Sequence, residues 1–198
     1  MRAYATAQGD PEGGDFTLSE ALAGLPGGGT LVALFHTNAG EMRCELFETL
    51  TPATVANFVG LARGLRPTLS EDGTEWTHKP FYDGGIFHRV IPGFMIQGGD
   101  PTGTGRGETG YVIVDEFMDE LEHDKAGMLS MANRGAGSGS GQFFITLGPT
   151  PHLNGKHTIF GHCDDAAVDV AEHIAAKRGP NDRPTDPQVI ESLEILRE

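Results

Sequence analysis

Short apolar runs separated by glycine-rich turns recur from Leu31 to the C-terminus, and this punctuation restricts the possible folds more than any other feature of the chain. The runs are LVALFHT, EMRCELF, IFHRVI, FMIQGG, GMLSMAN, QFFITLG, HTIFGHC and QVIESLEIL. Each is short for a helix, and most are rich in the β-branched and aromatic side chains that suit a pleated surface. The first two are joined by Asn38-Ala39-Gly40, a hairpin signal. Two stretches instead carry helical spacing. In TPATVANFVGLARG, Thr51 suits the N-cap, Pro52 the first helical position and Gly64 the stop, while Val55, Phe58, Val59 and Ala62 share a face. In DDAAVDVAEHIAAKRGP, Asp164 or Asp165 caps, Ala167, Val170, Ala171 and Ile174 face inward, and Lys177 to Pro180 end the helix. Many strands with few helices predict a mainly β architecture, an antiparallel barrel or sandwich capped by the two helices.

At 198 residues one domain is expected, large enough to bury a substantial core. Residues 1–29 are rich in glycine and acidic residues and read as a frayed N-terminal extension with one short helix, where Thr17 and Glu20 fit a capping box and Gly24 a stop. Residues 30–198 form the folded domain. The net charge of -14 argues against binding a phosphate backbone, so nucleic acid is excluded as a partner. No run approaches the roughly 20 apolar residues of a spanning helix. The opening MRAYATAQGDPEGGDF places Asp10, Glu12 and Asp15 where a leader needs an apolar stretch, so a cytoplasmic protein with no membrane association is expected. Cys44 and Cys163 are too few for a disulfide framework and match no metal spacing, which makes buried small hydrophobes the favoured reading. Two loops are long for a compact domain, 65–80 with the only tryptophan and the glycine-rich 99–110.

FHRVIPGFMIQGGD, residues 87–100, sets one arginine among large apolar side chains. A cation beside an apolar wall costs desolvation unless it is satisfied or used, so Arg89 either points out to water from a strand or serves as a donor in a pocket. Gly105-x-Gly107-x-x-Gly110 matches a dinucleotide fingerprint in letters only, since no helix follows it; a turn that lets a peptide backbone approach closely at Gly105 fits better. His152, His157 and His162 recur every five residues, a spacing that alternates faces of a strand and does not suggest zinc. Ser130, Ser138 and Ser140 lie in no nucleophile elbow, so a hydrolase is unsupported. DEFMDELEHD reads as a solvated acidic loop.

In order and at these separations, FHRVIPGFMIQGGD, GMLSMANRG, GQFFIT and HLNGKHTIFG resemble the cyclophilin family of peptidyl-prolyl isomerases. The PATVANF helix and PFYDG lead-in are similar to it too, and WTHKPFYDG is similar to bacterial members. The resemblance implies a closed eight-stranded antiparallel β-barrel capped by two α-helices. It implies acceleration of X-Pro rotation in protein folding by a monomer that needs no cofactor or metal. Arg89 inherits the catalytic role of donating to the prolyl nitrogen. Phe94, Met95, Phe144, Leu153 and His157 would form the proline pocket, Gln97 and Gln142 would orient the arginine and bind substrate, and Ala132 and Asn133 would hold the peptide backbone. His152 stands where the human cyclophilin best known for binding cyclosporin has tryptophan. The implied partners are therefore proline-containing peptides and unfolded or folding proteins, with weakened affinity for cyclosporin-type ligands. The alternative is a peptide-binding chaperone or scaffold with little turnover, which slow turnover with tight client binding would reveal.

Overall fold

The computed structural model describes residues 10–12, 15–70 and 72–198. Strands β1 (Leu31–Thr37) and β2 (Gly40–Leu46) form the expected hairpin, with Thr37 paired to Gly40. Thr37 Oγ1 locks the turn by donating to the Gly40 carbonyl at 2.6 Å and accepting from the Ala39 N–H at 3.1 Å. Helix α2 (Pro52–Ala62) follows, preceded by α1 (Leu18–Ala21) in the N-terminal extension. The 65–80 loop carries a minimal hairpin, β3 (Thr68–Leu69) with β4 (Trp76–Thr77), and Trp76 stacks on Tyr111. The remaining strands are β5 (Arg89–Ile91), β6 (Met95–Gly98), β7 (Met128–Met131), β8 (Phe143–Thr146), β9 (Ile159–Cys163) and β10 (Ile190–Arg197), with helix α3 (Asp165–Ala175) before the last.

Eight of these strands make one antiparallel sheet in the order β10-β1-β2-β9-β7-β8-β6-β5. The sheet curls until its ends meet: Ile86 bridges Val189, and Phe87 N–H donates to the Gln188 carbonyl at 2.9 Å. The curl encloses an aromatic core centred on Phe58 of α2, whose ring lies 5.0 Å from both Phe160 and Tyr82 and edge-on to Phe143 at 5.8 Å. Phe35 joins from β1 at 5.4 Å from Phe143. Such edge and tilted contacts follow from the ring quadrupole and add to what burial contributes. Among the described residues no helix is long and apolar enough to cross a membrane.

Four local expectations change. Thr51 precedes α2 but makes no capping bond; the first turn is capped by Glu116, whose carboxylate accepts from Ala53 N–H at 3.1 Å and Thr54 N–H at 2.7 Å. A distant carboxylate satisfies orphaned N–H donors and the helix dipole as well as an adjacent hydroxyl does. The acidic run is therefore not wholly solvated, and His123 at its end is fully buried. Cys44 and Cys163 are not free hydrophobes: they are direct partners across β2 and β9 and form a disulfide. A strand register that joins positions 119 residues apart leaves no trace in local sequence. Finally, the described part of the N-terminal extension is docked. Ala21 is in the core, Phe16 packs so tightly on α2 that a Cβ at Gly60 would meet its ring at 2.4 Å, and Asp10 lies 3.5 Å from the buried guanidinium of Arg66. The Thr17–Glu20 capping box forms as predicted.

Candidate active site

Strand pairing builds the site. Arg89 of β5 is directly opposite Gln97 of β6, and Gln97 is directly opposite Phe144 of β8, so the three form a row across the outer face of the sheet. Adjacent strands lie about 4.8 Å apart, which puts the ends of that row roughly 10 Å apart at Cα, within reach of an arginine side chain. Arg89 keeps 45% of its side-chain exposure and contributes to a cavity of about 480 Å³. Gln97, Gly105, Ala132, Asn133 and Gln142 also line that cavity.

The apolar residues proposed for the proline pocket gather beside it and do not line it. Phe144, 4% exposed, meets the His157 ring edge-on at 5.3 Å, and Phe94 stacks on His152 at 5.7 Å. Met95 is buried on β6, two residues from Gln97 and so on the same face of the sheet, and Leu153 sits half-buried in the 3-10 turn Pro151–Leu153 that also carries His152. His157 is held by a contact of 2.9 Å from Nδ1 to the Met131 carbonyl. Asn133 is fixed by donating to the Lys156 carbonyl at 2.7 Å.

The two glutamines line the cavity but make no hydrogen bond to Arg89. Gln97 Nε2 donates to Gln142 Oε1 at 2.9 Å, and Gln142 Nε2 donates to the Gly107 carbonyl at 3.0 Å. They tie the strand face to the glycine-rich loop and do not grip the guanidinium. That loop is organised by Asp100, which accepts from Thr102 N–H and Oγ1, both at 2.8 Å, and from the Gly105 N–H. Burial alone would raise the Asp100 pKa, but the bonds from Thr102, Gly107 and Gly105 outweigh it and hold the carboxyl below its ordinary value. Gly107 must be glycine for a related reason, since a Cβ there would lie 2.0 Å from Asp100 Oδ1.

Several cavity residues were not singled out by sequence. His88, 4% exposed, has neither ring nitrogen hydrogen-bonded; burial lowers its pKa, the neighbouring Arg183 and Arg89 charges push it the same way, and Asp100 opposes them. Asn181 and Arg183 arrive from the turn after α3. Glu108 and Arg134 form an ion pair on the opposite rim. His88 and Arg134 lie inside motifs that resemble the family and Glu108 inside the glycine-rich stretch, so proximity was an available signal; Asn181 and Arg183 come from a segment with no motif of its own.

The serine alternative meets a physical obstacle. Ser130 is fully buried, its Oγ held 3.0 Å from His123 Nε2 and donating to the Thr158 carbonyl at 3.0 Å, behind the Phe144 ring that stacks on His123. A scissile carbonyl has no path to it. Ser138 lies in the cavity wall, but its Oγ donates to the Gly135 carbonyl at 2.6 Å.

The chain as a whole matches known proteins in sequence and fold. The family model described as cyclophilin type peptidyl-prolyl cis-trans isomerase/CLD matches residues 32–195. The chain is 54% identical over 168 residues to peptidyl-prolyl cis-trans isomerase A of Mycobacterium tuberculosis, covering 84% of this chain and 92% of the relative. It is 45% identical over 168 residues to peptidyl-prolyl cis-trans isomerase B of Streptomyces anulatus, covering 83% and 96%. Its fold is similar to that of a Cryptosporidium parvum cyclophilin type peptidyl-prolyl cis-trans isomerase crystallised in the presence of the dipeptide Ala-Pro. That likeness has a TM-score of 0.70 at 33% identity, covering 84% of this chain and 99% of the other. With the family model spanning most of its length, the chain belongs to the cyclophilin-type peptidyl-prolyl cis-trans isomerases.

Proposed function

We propose that Arg89 is the residue through which this isomerase accelerates rotation about X-Pro peptide bonds, with the neighbouring apolar cluster holding the proline ring. The carrying observation is the row Arg89, Gln97, Phe144, which sets an exposed guanidinium two strands from the buried ring of Phe144.

The peptide C–N bond resists rotation by roughly 18–20 kcal/mol because of its partial double-bond character. In the twisted state the nitrogen regains a lone pair, and a fixed guanidinium donates to it more strongly than to the planar ground state. Only that difference raises the rate. The effect grows where water is excluded, which is the contribution of Phe94, Met95, Phe144, Leu153 and His157. Arginine suits the task because it stays charged and presents a rigid fork of donors. Lowering the barrier by about 5–7 kcal/mol corresponds to about 10⁴ to 10⁵ in rate.

The substrates are proline-containing segments of unfolded or folding chains, which the Ala-Pro dipeptide used with the Cryptosporidium parvum relative supports. Ala132 and Asn133 hold the peptide backbone, and Gly105 allows its close approach from the opposite rim. A histidine at position 152 presents a smaller stacking surface than tryptophan, and cyclosporin-type ligands bind with reduced affinity. The Cys44–Cys163 disulfide favours an oxidising compartment over the cytoplasm, because cytosolic thiols are kept reduced; thiol titration of protein quenched with alkylating agent in the cell decides between the two.

The test is Arg89→Ala, measured by far-UV circular dichroism and a protease-coupled assay on an X-Pro tetrapeptide. The expected result is an unchanged spectrum with turnover reduced about 10²- to 10³-fold, the scale of losing one transition-state donor. Unchanged turnover overturns the assignment, and slow turnover of the parent with tight binding of unfolded clients would favour the scaffold reading.

A further inference from the structure

A guanidinium that must aim at one atom has to be held, and Gln97, the partner that strand pairing offers, is bonded instead to Gln142. The group that does approach Arg89 is the carboxylate of Asp182, whose Oδ2 lies 3.7 Å from Arg89 Nε. Asp182 sits in the turn that follows α3, and that turn is built at a conformational cost. Asn181 and Asp182 both have left-handed backbones, with φ of 56° and 61°, and they are the positive-φ residues other than glycine among those described. Two consecutive non-glycine residues in that region need support from their surroundings, and such outliers cluster where function requires them.

The support is visible. Gly179 N–H donates to the Arg183 carbonyl at 2.6 Å and closes the turn, and the Arg183 side chain donates to the Gly103 carbonyl at 2.8 Å, tying the turn to the glycine-rich loop across the cavity. The other carboxylate oxygen, Oδ1, accepts from Arg178 Nε at 2.8 Å and from its terminal nitrogen at 2.5 Å. Arg178 thus fixes the carboxylate plane, and the free edge of that carboxylate faces Arg89. The side chain is only 24% exposed, so the pair is partly shielded from screening.

We propose that Asp182 is the positioning residue for Arg89. It draws Nε toward the turn, so that the two terminal nitrogens point along the cavity to where a prolyl nitrogen would sit. The left-handed backbone at Asn181 and Asp182 is what brings a carboxylate from the end of a helix down onto β5. This inference rests on the assignment of Arg89 made above, and it adds a residue that does not itself touch substrate.

Asp182→Asn and Asp182→Gly both tolerate a left-handed backbone and both remove the charge. Each is assayed for kcat and KM on an X-Pro tetrapeptide, alone and with Arg89→Ala. The Arg89 Nε–H signal is followed by ¹⁵N-edited NMR and assigned by its loss in Arg89→Ala. The expected result is a 3- to 10-fold fall in kcat with KM within about twofold, a shifted or broadened Arg89 Nε–H signal, and no further loss of turnover when Arg89 is already alanine. A merely structural turn would lower the melting temperature, leave the Nε–H signal in place, and add its loss to that of Arg89→Ala; that outcome overturns the proposal. Full turnover in both Asp182 variants, alongside an inactive Arg89→Ala, overturns it and leaves Arg89 catalytic. Full turnover in Arg89→Ala removes the underlying assignment instead.

Discussion

Replacing Asp10 by asparagine isolates the energetic role of the N-terminal extension. Arg66 is the largest fully buried side chain, at 1% exposure, and its guanidinium carbon lies 3.9 Å from the Tyr111 ring centroid and 5.4 Å from that of Phe16. Among the described residues it makes one hydrogen bond, from a terminal nitrogen to Asn57 Oδ1 at 3.0 Å, and its Nε and second terminal nitrogen have no hydrogen-bond acceptor. The counter-charge is Asp10, whose side chain is fully buried 3.5 Å away. With an effective dielectric near 20, two unit charges at that separation attract by about 5 kcal/mol. Asparagine keeps the shape and removes the charge, leaving a buried cation with only aromatic faces and one amide for company. The expected loss is about 3–5 kcal/mol, a large part of the roughly 5–15 kcal/mol by which a domain is stable. In urea unfolding followed by far-UV circular dichroism, the midpoint should fall by about 1–2 M at constant slope. Adding Arg66→Met removes the stranded charge and should recover at least half the loss, because an apolar replacement of a buried pair is far less costly than a broken one. A single variant within about 0.5 kcal/mol of the parent would refute the reasoning, and residues 10–25 would then be an ornament on the barrel.

Three further outcomes are expected. Cys44→Ala with Cys163→Ala opens a covalent link between residues 119 apart and should lower stability by about 2–4 kcal/mol; two titratable thiols in the denatured, unreduced parent would contradict the bond. His88, His123 and His162 all have pKa values lowered chiefly by burial. Below the ordinary imidazole pKa of about 6.5 the unfolded chain takes up protons that the folded chain resists, so the melting temperature should fall with pH from there downward; a flat melting curve from pH 7 to 5 would count against it. Gly107→Ala drives a Cβ into Asp100 Oδ1 and should cut kcat/KM several-fold while costing about 1–3 kcal/mol, read by the peptide assay and by denaturation.

What could be read from the chain were the features whose signal is local. The hairpin at Asn38-Ala39, the α2 and α3 helices, the Thr17–Glu20 box and the mainly β class all arise from residues within a few positions of one another. The stretch around Arg89 left it as either an outward strand residue or a pocket donor, and its proposed catalytic role came from the resemblance. The proline-pocket residues came from a resemblance, since their grouping spans β6, β8 and the Pro151–Leu153 turn and no periodicity links them. Where the reading failed, the cause lay in partners far apart in sequence. Glu116 caps a helix more than sixty residues earlier in the chain, and Cys44 meets Cys163 because β2 happens to pair with β9 in that register. Gln97 turns to Gln142, and Asp182 reaches Arg89 through a turn that looks in sequence like the end of a helix. The sequence by itself determined the elements, because backbone preference and hydrophobic spacing act over a few residues, while the catalytic candidate came from the resemblance. Only the tertiary structure decided what surrounds each polar group, because a buried donor or charge is satisfied by whichever partner the folded sheet brings within about 3–4 Å, however distant it is along the chain.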